Sequence, residues 1–341
     1  MAKPIYLPQK SIDYFKTNKD TRTDVLYLPQ GSADFVEMNK DVIKEMLDKS
    51  LEKQAEFYNS SMNITNKRRR WKFILKEETD INNVQIKNAM ATYNEDEDTI
   101  TMTTGFYRDI FNLFITMSDR FEHALWKTIV ALEFCVSHEL AHLYAGHCQL
   151  SNDRELSIFF RFSNGLSRPV YQMLEIDADA IACGRVADAV ASNNIFTNGY
   201  LYYMYDNQEQ FLTDSIKALC GLFYYLRSLG CDKHFIPYTN THPPTFVRCF
   251  ATGYSFIDHY TINYEDKRLL LTKNIFDYLA DKKNTFCKIL NVEPFTKTMS
   301  DIHIIIDYLD TLVKIWNNEI KGKIKKHRRL PLRDPALSIW K

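Results

Sequence analysis

Residues 138–142 read His-Glu-Leu-Ala-His, two imidazoles four residues apart with a carboxylate between them. On an α-helix, positions four apart lie one turn apart on the same face. His138 and His142 can therefore direct ring nitrogens at one cation, with Glu139 beside them to hold a water on it. A pair of ordinary histidines would also satisfy so short a pattern. The apolar run 124–136 just before it weighs against that, because a buried helix does not gather two His and a Glu without partners.

A site of this kind needs a third protein ligand, and QMLEIDADAIACG (172–184) offers one. Glu175 and Asp179 are four apart on one helical face. Glu175 can bind a metal while Asp179 accepts the N–H of a ligand histidine, fixing its tautomer. The small residues Ala178, Ala180 and Ala182 permit close packing of this helix on the first. His147 is the competing third ligand or an outer-sphere contact; it lies five residues past His142, about 140° around a continuous helix at ~100° per residue. A third segment, THPPTFVR (241–248), carries His242 and Arg248. Near a metal these two can stabilise an oxyanion; away from one they are a helix-starting loop and a surface arginine.

Positioning such groups takes long, turn-poor elements, and the composition supplies them. Only 10 of 341 residues are Gly, about 3% against a usual ~7%. No Gly-x-Gly and no Gly-x-x-x-x-Gly-Lys occurs, which excludes dinucleotide fingerprints and P-loops. A mostly helical chain is expected. Helices are expected at 33–58, at about 120–144, 167–190, 206–229, 244–259 and 264–290, and at 297–326. WKFIL (71–75) reads as a strand. NAMATYNEDEDTITMTT (88–104) reads as a hairpin with an acidic tip at Glu95–Asp98 and a half-buried second arm stopped by Gly105.

Lys+Arg and Asp+Glu balance at 43 each, so no global field recruits nucleic acid or an anionic membrane. A regulator binding nucleic acid through 67–72 and 321–333 is disfavoured for the same reason. The basic tail 321–333 is read as a solvated helix end, with a partner-binding patch as its alternative. Seven cysteines with no CxxC pair imply free, buried thiols in a reducing compartment. The start MAKPIYLPQK lacks an apolar core, and no ~18-residue apolar run exists. A cytoplasmic protein without membrane insertion is expected.

Taken together, these segments resemble a family. HELAHLYAGH is similar to the HExxHxxxxH helix of the CAAX-prenyl-protease/HtpX-type zinc metallopeptidases, LEIDAD to their ExxAD motif, and THPPTFVR to their HPxxxxR segment. NAMA followed by ITMTTGFY resembles their Asn-Ala-Phe-Ala strand and an edge strand ending in Gly. The order of the motifs also resembles the Lit-type phage-exclusion peptidases, which are soluble. The likeness covers roughly residues 70–255, and the absence of an evident membrane span favours the soluble branch.

The resemblance implies an α+β, mostly α fold with a zincin-like (gluzincin) core. It would comprise an N-terminal arm and helix (1–65), a metallopeptidase core (66–260) and a C-terminal helical extension (261–341). It implies one Zn²⁺ held by His138, His142 and Glu175, with Asp179 and His147 behind the ligands, Glu139 as general base, and His242 and Arg248 at the oxyanion. In that family the corresponding histidine can also approach zinc and hold the enzyme latent. Asn88, Ala89, Thr101, Met102 and Thr103 would bind an extended protein substrate, with strand 100–104 offering an open edge. The expected function is a zinc endopeptidase, with phage defence as an analogy. An inactive or latent zinc-binding interaction protein is the alternative.

Overall fold

A computed structural model describes residues 70–76, 89–92, 97–118, 121–152, 167–191, 208–226, 228, 242–260 and 302–326. Three strands, β1 (Arg70–Lys76), β2 (Ala89–Thr92) and β3 (Glu97–Thr103), form one sheet. Among the described residues eight helical segments follow: α1 (Thr104–Met117), α2 (Phe121–Tyr144), α3 (His147–Asn152), α4 (Ser167–Ala191), α5 (Gln208–Leu226), α6 (Thr245–Tyr260), α7 (Ile302–Ile315) and, after a π-turn at Trp316–Ile320, α8 (Lys321–Ile324). The fold is α+β and mostly α. The expected helices at 33–58 and 264–290 and the basic cluster before Arg70 lie outside the described residues.

The hairpin is present: β2 runs antiparallel to β3, pairing Ala89 with Met102 and Thr92 with Thr99. Two expectations about it are corrected. β3 is the middle strand, not an edge, because β1 pairs with it in parallel from Arg70↔Glu97 to Lys76↔Thr103. Its two faces are both covered: Ile100 and Met102 are buried, and so are Thr101 and Thr103. Nor does Gly105 end the strand. Thr103 caps α1, its hydroxyl accepting from the Phe106 N–H at 3.3 Å, so the helix starts at Thr104 and Gly105 sits in its first turn.

α2 is the central rod. Between residues 123 and 147 only Glu139 and His142 are not buried. Such an all-round apolar helix has to be enclosed, and α1, α4, α5 and the β2 side of the sheet enclose it. The α2–α5 contact is stitched by Trp126, which stacks at 4.4 Å on Phe211 and donates to Ser215 Oγ at 3.0 Å. Beside it the buried Lys127 ammonium lies 3.1 Å from Asp214 and 2.9 Å from Ser118 Oγ. Asp214→Ala should therefore cost roughly 3–5 kcal/mol, since it strands a buried cation. The check is the urea midpoint of the variant against Lys217→Ala, whose partly exposed contact to Asp214 should matter little.

Two apolar cores meet along α4. Its C-terminal half (Ala182, Cys183, Val186, Val190) packs with the sheet, α1, α2 and α5. Its N-terminal half (Val170, Met173, Leu174, Ile176) packs with α6, α7 and the π-turn, whose Trp316 is fully buried. The C-terminal segment is thus part of the scaffold under α4. The single helix expected over 297–326 is instead a helix, a π-turn and a short helix, which keeps Trp316, Ile320 and Ile324 on the buried side.

Candidate metal centre

His138 and His142 project from one face of α2, as their spacing requires, and α4 lies against that face. Their Nε2 atoms are 3.0 Å apart. Glu175 on α4 completes the set, with Oε2 3.4 Å from His138 Nε2 and Oε1 3.4 Å from His142 Nε2. One ligand atom from each residue lies within 4.8 Å of the others, so the cluster could hold a metal ion. Tetrahedral bonds of ~2.0–2.1 Å would put ligand atoms about 3.3 Å apart, and the observed separations match. The donor set fits in another respect. Glu175 Oε2 is buried and accepts no hydrogen bond, a position that a cation would satisfy.

The outer face of each imidazole is also engaged. His138 Nδ1 lies 2.9 Å from Asp179 Oδ1. Asp179 in turn receives two hydrogen bonds from Arg248, Nε to Oδ2 and NH2 to Oδ1, each 2.7 Å. The guanidinium sits 4.6 Å over the Phe223 ring. Arg248 was expected at the oxyanion. It is buried and forked onto Asp179, with NH2 3.8 Å from Glu175 Oε2, so its visible work is to hold the carboxylate that holds His138.

His147 is not among the three residues whose ligand atoms converge. Gly146 adopts a left-handed conformation (φ 82°), ends α2 and redirects the chain, so the 140° expected of a continuous helix does not apply. The turn returns His147 to the outer side of His142, with the two Nδ1 atoms 3.0 Å apart. His147 Nε2 faces Asp177 Oδ2 at 3.1 Å.

His242 is the most open member, its side chain 42% exposed, with Nε2 3.6 Å from Glu175 Oε2. Its backbone carbonyl accepts from Gln172 Nε2 at 3.2 Å, and Gln172 Oε1 accepts from Tyr308 OH at 2.9 Å. Glu139 lies on α2 next to His138 and is one of the two residues of that stretch reaching solvent. Of the expected substrate-binding residues, Thr101, Met102 and Thr103 are buried in the middle strand, Ala89 is on β2, and Asn88 lies outside the described residues. Sequence reasoning missed Asp177, Gln172 and Tyr308. Asp177 was visible as the middle acid of Glu-Ile-Asp-Ala-Asp, but nothing in the spacing said that a turn at Gly146 would bring His147 to it.

Charges within the cluster are strongly coupled. Burial lowers the His138 pKa, but Asp179 and Glu175 overcome it and push the ring up to about 10. Burial raises Asp179, yet Arg248 and His138 bring it below its ordinary value. Glu175, likewise raised by burial, is carried well below by His242 and His142. His242 is raised by Glu175 but lowered further by burial and Arg248, and ends below its usual value.

The consequence for the chelator-treated protein follows from linkage. The raised His138 contributes stability below about pH 6.5 that is lost as pH climbs toward about 10. The depressed carboxylates contribute above their unfolded values, near 4, and lose it as pH falls. In EDTA, the melting temperature should peak near pH 6.5, because the depressed His242 also loses stability as pH falls below that value, and decline on both sides. His138→Gln should remove the alkaline decline, as read by calorimetry across pH.

Two histidines and a glutamate on two packed helices form a His₂Glu cluster that could hold a metal ion. No family model, curated protein or solved structure matches the chain. Among the described residues no helix is long and apolar enough to cross a membrane.

Proposed function

We propose that the chain is a zinc-dependent endopeptidase of gluzincin type, akin to the CAAX-prenyl-protease/HtpX-type and Lit-type peptidases. The observation that carries this reading is the convergence of His138, His142 and Glu175 on one point. Glu139 occupies the position between the two histidines that a general base needs. Zinc bound there would lower the pKa of a ligated water toward ~7 and polarise a substrate carbonyl.

The chain's own residues supply the rest. Glu139 accepts the water proton on its carboxylate and returns it to the departing amine nitrogen. His242, exposed and beside Glu175, donates its ring N–H to the developing oxyanion. Arg248 and Asp179 keep the His138 ring oriented. An extended peptide would add to β2 rather than β3. β2 lies against α2, and among the described residues its outer edge carries no strand.

The first test is metal content. Purified protein should hold one zinc per chain, and Glu175→Ala should lose most of it while the circular dichroism is unchanged. Full zinc retention in Glu175→Ala would sink the ligand assignment.

A further inference from the structure

We infer that Asp177 and His147 form a proton-placing relay that readies His142 as a metal ligand, an inference that rests on the metal centre proposed above. Both side chains are 3% exposed, so their contacts are made in the dry interior. An ionised carboxylate can only accept. At 3.1 Å from Asp177 Oδ2, His147 Nε2 is placed to donate a hydrogen to that carboxylate. A neutral imidazole with its hydrogen on Nε2 has a lone pair on Nδ1. That lone pair faces His142 Nδ1 at 3.0 Å, a contact that needs one hydrogen between the two nitrogens. His142 supplies it from Nδ1, which leaves His142 Nε2 with its lone pair. Nε2 is the atom aimed at His138 Nε2 and Glu175.

The two ligand histidines are thus prepared by separate devices on the same helix. His138 leans on Asp179, which Arg248 clamps. His142 leans on His147, which Asp177 clamps. Asp177 sits two residues from both Glu175 and Asp179, ~200° around α4 from each at ~100° per residue, and so serves a different partner. The Gly146 turn is what makes the second relay possible, because only a chain leaving α2 there brings His147 back onto His142.

The experiment uses the full chain. Zinc affinity is measured by chelator competition in the wild type, Asp177→Ala, Asp177→Glu and His147→Leu, with circular dichroism on each metal-free protein. Asp177→Ala and His147→Leu should weaken zinc ~10–100-fold, the usual effect of losing an outer-sphere partner. Asp177→Glu should recover part of the loss, which a mere packing defect would not allow. Should the variants fail to fold, ¹⁵N spectra of the histidine rings in the metal-free wild type decide. The expected pattern is His142 protonated on Nδ1 and His147 on Nε2. His142 protonated on Nε2, or wild-type zinc affinity in folded Asp177→Ala and His147→Leu, would overturn the relay alone. A wild type with no measurable zinc affinity would overturn the metal reading and the relay with it.

Discussion

Glu139→Gln should abolish cleavage while leaving zinc in place. Glutamine has nearly the shape of glutamate and can still hydrogen-bond a water, but it cannot take a proton at neutral pH. General-base catalysis contributes about 10²–10⁴-fold, so residual activity should be at most about one hundredth of wild type. His138 and His142 are untouched, and the zinc content should stay at one per chain. With the substrate unspecified, the readout is a comparison of new protein termini in cells expressing wild type or Glu139→Gln. Termini present only with the wild type support the peptidase; identical sets would leave a zinc-bearing interaction protein as the better reading. His242→Ala in the same assay should give an intermediate loss, since removing one oxyanion donor costs roughly 10²–10³-fold.

The second large effect is expected at Asp179. This carboxylate is almost fully buried between His138 and Arg248. Asp179→Ala would leave the Arg248 guanidinium in the interior with its principal counter-charge gone. Breaking a buried pair from one side typically costs 3–5 kcal/mol, because the surviving charge is stranded. The same change removes the carboxylate that lies 2.9 Å from His138 Nδ1, so zinc should bind ~10–100-fold more weakly. These two consequences can be separated. Replacing both partners with apolar residues, Asp179→Leu with Arg248→Met, removes the stranded charge and should restore most of the stability, as measured by urea unfolding. It cannot restore the carboxylate beside His138, so the zinc affinity should remain low. Recovery of both in the double variant would show that Asp179 acts on the metal site only through global stability.

The clustering of His138, His142 and Glu175 was legible in the sequence because helical spacing is a strong constraint. His138 with His142, and Glu175 with Asp179, need only 3.6-residue periodicity to share a face, and both pairs do. The extents of α2 and α4 lie close to the expected 120–144 and 167–190. Three things were not readable. The parallel pairing of β1 with β3 depends on segments 21 residues apart at the nearest, and no local pattern encodes it. The role of Arg248 turned on tertiary geometry: its spacing from His242 suited an oxyanion contact, but α6 delivers its guanidinium to Asp179. The position of His147 depended on one glycine's dihedral angle. A left-handed residue is invisible to a count of helical turns and rewrites every direction after it.

The two apolar cores that meet along α4 divide the His138–His142–Glu175 cluster between them. His138 and His142 belong to a rod enclosed by the first core, whereas Glu175 stands on the stretch of α4 that the second core, with α7 and Trp316, supports. Protein domains open locally in cooperative units of unequal stability. If the second core opens first, a metal bound there would keep its two nitrogens and shed its carboxylate. The loop carrying His242 goes with it, through Gln172 and Tyr308. Release of a metal bound there would then follow the opening of α7, which hydrogen exchange reports, more than a hundred residues downstream in sequence from the carboxylate it supports.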